Sequence, residues 1–325
     1  MIKINGKTVK IDTQNTTYIF NINSTGQAET LYYGSIIPDI EDLCPLTEKL
    51  GTGYGSSVNY TEGSPLSLNN ICCECSTIGK GDFREPFAVI ADYRGNVVGD
   101  FVYQSMRLID NFTIPDLPNS YGKSETLETV YTDKAKGLSL SLYYSTFTDC
   151  DVIIKSASIT NLGDNAVTIE RLMSSQLDLP YKDYIMDTLD GTWAKERYIN
   201  SRRITDGVFF VDSKVGASSS NHNPYVVIKK TDCSLNYGDA YGLNLVYSGN
   251  HMELAEVSFT GKTRILNGIN PHGFKWTLDV GETFYTPEAT LCFSALGTNG
   301  LTQNYHYFVN NHIVRGEWQN KPRPI

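Results

Sequence analysis

Charge is scarce in this sequence. Asp, Glu, Lys and Arg make up 19% of its 325 residues, and acids outnumber bases 36 to 27, for a net charge of −9. No stripe of Lys and Arg breaks that balance. A polyanionic partner such as DNA or RNA is therefore excluded, and an anionic membrane surface is disfavoured on the same ground. No run of about 20 apolar residues occurs, so no helical membrane span is expected. The opening stretch, Met1 to Lys7, lacks the apolar core of a secretory leader. A cytoplasmic setting is the expectation. The seven cysteines are odd in number, and in that setting they read as reduced thiols. Cys72-Cys73-Glu74-Cys75 is dense in sulfur, but no second Cys/His pair follows at metal-ligand spacing, so no metal is expected. Gly-x-Ser-x-Gly elbows, phosphate loops and dinucleotide glycine patterns are also missing, and no cofactor is expected.

Strand-forming residues are plentiful. Hydrophobic residues reach 40%, with 21 Tyr and 27 Gly, a composition suited to strands joined by tight turns. Thr17 to Ile22 is rich in β-formers, and Leu31-Tyr32-Tyr33 follows a turn at Gly26. Gly137 to Tyr143 alternates apolar and polar residues, the period of a half-buried strand. Further strands are expected at 88–90, 152–159, 167–169, 208–211, 224–228, 243–247, 264–266 and 274–278. Their spacing of roughly 8–15 residues indicates an all-β fold, a large antiparallel sandwich.

Two segments break the rhythm. Residues 38–66 hold Pro38, Pro45, Gly51, Gly53, Gly55, Gly63 and Pro65, and a loop of that length tends to carry function. Near the C-terminus, Leu301, Tyr305, Phe308, His312 and Ile313 share one face at helical spacing. Thr298 or Asn299 is the expected cap, and Gly316 the expected stop. The expected organisation is a sandwich over 1–297, a helix over 298–316 and a Pro-bearing linker over 317–325.

Chemistry-bearing residues are few. Asp183, Asp187 and Asp190 crowd near Trp193 and Arg197, where the expectation is a loop with solvated acids. An aromatic beside charged groups is also what a sugar platform looks like: the apolar faces of a pyranose stack on rings, and its hydroxyls take charged hydrogen bonds. The alternative is a Trp that anchors its loop to the core. His222 sits among Ser218, Ser219 and Ser220, which reads as a polar loop stitched by hydrogen bonds.

Several segments, taken in order, resemble the N-terminal domain of glycoside hydrolase family 36 α-galactosidases. They are Gly79-Lys80-Gly81-Asp82-Phe83-Arg84-Glu85-Pro86, Gly191-Thr192-Trp193-Ala194-Lys195-Glu196-Arg197, Gly216 to Pro224, Tyr247-Ser248-Gly249-Asn250, Gly268-Ile269-Asn270-Pro271, Thr286-Pro287-Glu288-Ala289, and Val314 to Ile325. The resemblance implies a galactose-mutarotase-like β-supersandwich that precedes a (β/α)₈ barrel. In the family the nucleophile belongs to a Lys-Trp-Asp motif of the barrel, whereas Lys275-Trp276 here continues with Thr277. No catalytic residue is therefore assigned, and the chain is expected to stop before the barrel. The resemblance also implies packing on the barrel, for which Asp82, Arg84, Ser219, His222 and Asn223 are the interdomain candidates. It implies a homo-oligomer, a tetramer in some members, whose long loop reaches a neighbouring active site. The corresponding loop here has Asp39, Asp42 and Glu48 but no Arg, so Tyr54, Asn59 and Tyr60 stand as its candidate galactoside contacts, with Trp193 and Arg197. An independent galactoside-binding module and a mutarotase-like enzyme remain the alternatives.

Overall fold

The computed structural model describes residues 1–39, 42–48 and 58–322. Antiparallel strands dominate, arranged in three sheets. The first is a meander of four: Ile2–Asn5, Thr8–Asp12, Thr16–Ile22 and Ala28–Ser35. The largest runs from Lys195–Arg203 at one edge, through Tyr184–Thr192, His222–Lys230, Ala240–Leu245, Ala289–Ser294, Val152–Asn161 and Leu138–Thr146, to Glu125–Asp133 and Val102–Ile109 at the other. The third is built on Val167–Leu179 and includes Gly207–Asp212, His251–Val257 and Thr263–Ile269. The expected antiparallel supersandwich is what the chain forms.

Strand alternation explains the layering. Ile153, Ala157 and Ile159 point into a core shared with Val9, Ile11 and Phe20 of the first sheet and Leu254, Ile265 and Leu266 of the third. The intervening Val152 and Ile154 point the other way, into a second cluster with Leu301, Tyr305 and Phe308 of the C-terminal helix. The large sheet is thus covered on both faces along its centre.

One charged group lies at the meeting of the three sheets. Glu74 Oε1 accepts from Tyr18 and Thr30, each at 2.5 Å. Its Oε2 accepts from Tyr144 at 2.7 Å and from the Lys155 ammonium at 2.8 Å. Lys155 also donates to the Gln176 carbonyl at 2.7 Å. Glu74 is fully buried and Lys155 nearly so, and burial drives the Tyr18 and Tyr144 phenols far above their ordinary range. The cysteines around it are packing groups: Cys72 and Cys73 are buried, and the Cys73 thiol points at the Leu68 carbonyl.

The expectations miss in four places. The segment around Asp187 and Asp190 is a strand, Tyr184–Thr192, not a loop. Strand Val167–Leu179 is far longer than its apolar start, because Ser174, Ser175 and Gln176 are buried within it. The strand expected over 274–278 is limited to Trp276–Leu278. The C-terminal helix spans Gly297–Phe308 and continues as one π turn, Val309–Ile313. Neither Thr298 nor Asn299 caps it. The carbonyls of Gly238, Ser234 and Leu235 instead accept from the N–H groups of Gly297, Thr298 and Asn299, so tertiary contacts satisfy the orphan donors. Gly297 is required there: a Cβ would sit 2.3 Å from the Ser234 oxygen. Gly316 opens a 3₁₀ turn, Gly316–Gln319, and Gln319 donates to the Tyr121 hydroxyl at 3.1 Å. The expected linker therefore begins docked on the domain.

Two outcomes are expected. Glu74→Ala strands the Lys155 ammonium in the core and costs about 3–5 kcal/mol; Glu74→Leu combined with Lys155→Met costs much less, as urea unfolding will read. Glu29 is the pH-dependent case. Its carboxyl is pushed up to about 7, chiefly by burial, with Lys262 opposing. The folded chain holds this proton more tightly than the unfolded one, where Glu titrates near 4.5. Its contribution to stability is complete below that pH and is lost as pH rises to about 7. Urea midpoints of the parent should fall across that window, and Glu29→Gln should flatten the fall.

Candidate functional site

The hairpin of Tyr184–Thr192 and Lys195–Arg203 projects from one edge of the large sheet. Trp193 and Ala194 form its tip. Gly191 is imposed by the close return of the chain, since a Cβ there would lie 2.1 Å from the Lys195 oxygen. The ladder slips between Asp190 and Thr192, and Arg197 takes a left-handed conformation with φ +62°. A non-glycine residue held in that region is under strain. Trp193 is 89% exposed, and Tyr198 and Ile199 exceed 60%. Every residue of Lys195–Arg203 is exposed, and among the described residues no strand pairs with its outer edge. Covering a ring the size of Trp193 is worth on the order of 2–3 kcal/mol. Bare rings and an unpaired edge together mark a surface shaped for a ligand or partner.

Behind the tip the acids are occupied. Asp190 accepts from His222 Nδ1 and Thr188, each at 2.7 Å, and from Asn200 at 2.8 Å. Burial opposes its ionisation, but these bonds outweigh it and hold the carboxyl below the usual range. Asp187 accepts from Ser201 at 2.6 Å and from the Lys229 ammonium at 2.5 Å, and Asp183 pairs with Arg203 at 2.8 Å. Two of the three are thus not the solvated loop acids expected from the sequence. Each backs the hairpin: Asp190 orients His222, and Asp187 bridges two neighbouring strands.

The segment Gly216 to Pro224 lies beside the hairpin. Asn221 O accepts from Gly191 N at 3.1 Å. Gly216 N donates to Asn250 Oδ1 at 2.8 Å, Ser218 N to Ser248 O at 2.7 Å, and Asn270 N to Asn250 O at 3.1 Å. Four segments far apart in sequence thus make one hydrogen-bonded rim. Beneath it His251 Nε2 lies 3.2 Å from the His222 carbonyl, and its Nδ1 lies 2.8 Å from Glu253, whose carboxyl burial pushes up. Ser219 Oγ accepts from Asn221 N at 3.2 Å. Asn223 lines a groove of 880 Å³ between the hairpin and the C-terminal helix, with Arg197, Ile199, Tyr225, His306 and Trp318. Its Oδ1 is buried and has no hydrogen-bond partner among the described residues.

The remaining candidates are not gathered here. Asp82 and Arg84 are inside the domain, 6% and 5% exposed. Arg84 pairs with Asp82 at 2.8 Å and Asp178 at 3.2 Å, and Arg264 bonds both carboxylates at 2.8 Å. Both side chains are enclosed by their own domain, unlike the exposed hairpin tip. Tyr60 also faces inward. Its hydroxyl donates to Asp100 at 2.6 Å and accepts from Gln27 at 3.0 Å, and its ring packs on Leu66, Leu68 and Ile71. Asn59 beside it is exposed. Tyr54 lies outside the described residues. Asp39 pairs with Lys3 and Lys10, and Glu48 with Lys262. Lys275 pairs with Glu170 at 3.5 Å, and Trp276 is half exposed on a sandwich strand. The sequence pointed to Asp190, Asn250 and Asn270 but not to their bonds, because these depend on partners from other segments.

Comparison with known proteins identifies the family. The model of the glycosyl hydrolase family 36 N-terminal domain matches residues 26–279. Probable α-galactosidase C of Aspergillus flavus is 32% identical over 98% of the chain and 42% of its own length. α-Galactosidase AgaA of Geobacillus stearothermophilus is 31% identical over 95% of the chain and 43% of its own. Among solved structures, α-galactosidase AgaB of the same organism superposes with a TM-score of 0.95 at 30% identity, covering 100% of the chain and 45% of AgaB. The α-galactosidase of Lactobacillus brevis superposes at 0.93 with 33% identity, over 98% and 43%. The chain spans less than half the length of these relatives. It belongs to glycosyl hydrolase family 36, of which it is the N-terminal domain.

Proposed function

We propose that the chain is the non-catalytic N-terminal domain of a retaining α-galactosidase that hydrolyses terminal α-galactosides of the melibiose and raffinose type. The observation that carries this reading is the hairpin edge: Trp193 at 89% exposure, Arg197 strained beside it, and a strand exposed along its length whose outer edge pairs with no other strand among the described residues. Such a surface needs a cover, and a barrel domain packed on it would supply one. The chain's 42–45% share of its α-galactosidase relatives leaves room for that barrel. Two of those solved structures, of AgaA variants, hold raffinose and stachyose.

In this reading Trp193 stacks on the apolar face of a galactoside and Arg197 donates to its hydroxyls. His222, fixed by Asp190, and Ser219 and Asn223 on the rim make the interdomain contacts. The loop over 38–66, with Asn59, Tyr60 and Tyr54, approaches the active site of a neighbouring copy in a homo-oligomer. Tyr60 acts there as an anchor, since its hydroxyl is already engaged. The second reading, an autonomous galactoside-binding module, rests on the same bare Trp193.

A chromogenic α-galactoside should give no turnover with the chain alone and ready turnover when the reading frame continues past Ile325 into a barrel. Turnover by the chain alone would overturn the proposal, and millimolar galactose binding to it in calorimetry would favour the module. In the extended protein, Trp193→Ala should lower kcat/KM at least about tenfold, about 1.4 kcal/mol. Arg197→Gly should do likewise while raising stability by about 0.5–1 kcal/mol, because glycine relieves the left-handed strain.

A further inference from the structure

We propose that Asp149, Cys150 and His312 form a binding site for one divalent transition-metal ion of the zinc type. The site lies where the C-terminal helix meets the large sheet. Asp149 and Cys150 occupy the turn between strands Leu138–Thr146 and Val152–Asn161. His312 lies on the π turn Val309–Ile313, the last regular turn before the tail. One ligand atom from each residue falls within 4.8 Å of the other two.

Each donor is held by a partner that leaves its ligand atom free to bind. His312 Nδ1 lies 2.8 Å from the Tyr121 carbonyl, an oxygen that only accepts. Nδ1 therefore carries a hydrogen, which leaves Nε2, facing Asp149 Oδ1 at 3.0 Å, as the nitrogen able to ligate. Tyr307 donates to the other oxygen, Oδ2, at 3.1 Å. The Cys150 sulfur accepts from the Val152 backbone N–H. A carbonyl behind the imidazole and a hydroxyl behind the carboxylate are the outer partners that orient metal ligands. Gly122 makes room for the ring, since a Cβ there would lie 3.2 Å from Nδ1. Phe147 and Phe308 wall the imidazole at centroid distances of 4.3 and 5.7 Å.

Two acceptors, Nε2 and Oδ1, face each other, so a cation belongs between them. A proton on Nε2 would make an imidazolium–carboxylate pair, with the carboxylate partly open to solvent. The sulfur decides for a metal: an ion pair has no use for Cys150, whereas a nitrogen, oxygen and sulfur set converging on one point suits zinc or cobalt. Cys150 and His312 are buried, while the Asp149 side chain is 40% exposed, which gives the ion an entry path and a position for a water ligand. On binding, the Cys150 S–H bond breaks, the sulfur–metal bond forms and the proton passes to solvent. The ion would pin the π turn, and with it the chain's exit from the domain, to the sandwich.

Cobalt(II) titration of the reduced, metal-free chain tests the proposal. The expected result is about one equivalent bound, with a near-ultraviolet thiolate-to-cobalt band that zinc abolishes. Zinc should also raise the Tm of the parent. Cys150→Ser should lose the band and the zinc-dependent rise in Tm. Asp149→Asn, which keeps an oxygen acceptor for Tyr307, should weaken binding about tenfold or more. Absence of the band in the parent overturns the site, as does its persistence in both variants, which would assign it to other cysteines. Circular dichroism of both metal-free variants separates lost ligation from lost fold.

Discussion

Glu74 is the constraint around which the three sheets assemble. Its two carboxylate oxygens accept from Tyr18 and Thr30 of the first sheet and from Tyr144 and Lys155 of the largest, and Lys155 passes a further bond to Gln176 of the third. A buried ion pair adds little net stability over apolar packing, but it tolerates almost no displacement. An error of one residue in the register of any participating strand would turn its donor to the opposite face. The pair therefore specifies which strand opposes which, while the apolar core around it supplies the driving force. A second buried network, Asp82, Arg84, Asp178 and Arg264, repeats the arrangement between the segment Gly79 to Pro86 and the third sheet.

That rigidity makes the edge of the large sheet usable. The hairpin beyond it is held from behind by Asp190 and Asp187 and from the side by the rim of Gly216 to Pro224. Its tip presents Trp193 and Arg197 to whatever covers the edge. Acids and rings divide here: the acids hold neighbouring side chains and the His222 imidazole in place, and the rings stay exposed. A strained Arg197 fits that division, because strain persists only where surrounding structure over-determines the backbone. The same rigid frame brings Asp149 and Cys150 to His312 at the domain's exit.

Much of the fold was legible. Apolar alternation located Leu138–Thr146 and Val152–Asn161, because the period of a half-buried strand is written directly in side-chain type. Val167–Leu179 was read only in part, since its buried Ser174, Ser175 and Gln176 look like surface residues until their partners are known. Of the site candidates, Trp193 and Arg197 were singled out from residue type and local order. Asp82 and Arg84 were named as interdomain candidates from the family resemblance; that they are buried was not legible, because only Asp178 and Arg264, distant in sequence, make their burial tolerable. The donor set at His312 was invisible for a related reason: the search was for a second Cys/His pair at metal-ligand spacing, and these three donors are single residues contributed by a turn and a helix end far apart in the chain.

The sequence by itself determined the class of fold, the lack of a basic surface, the long irregular loop and the ordered motifs that resemble the family. These depend on local periodicity, on summed charge, and on residue order, all of which exist before folding. Only the tertiary structure decided which charges are buried, which acids are occupied, how the C-terminal helix is capped and which aromatics stay bare. Those outcomes depend on pairings between residues separated by many strands, and the energy of such a pairing is set by burial and geometry that no single segment contains.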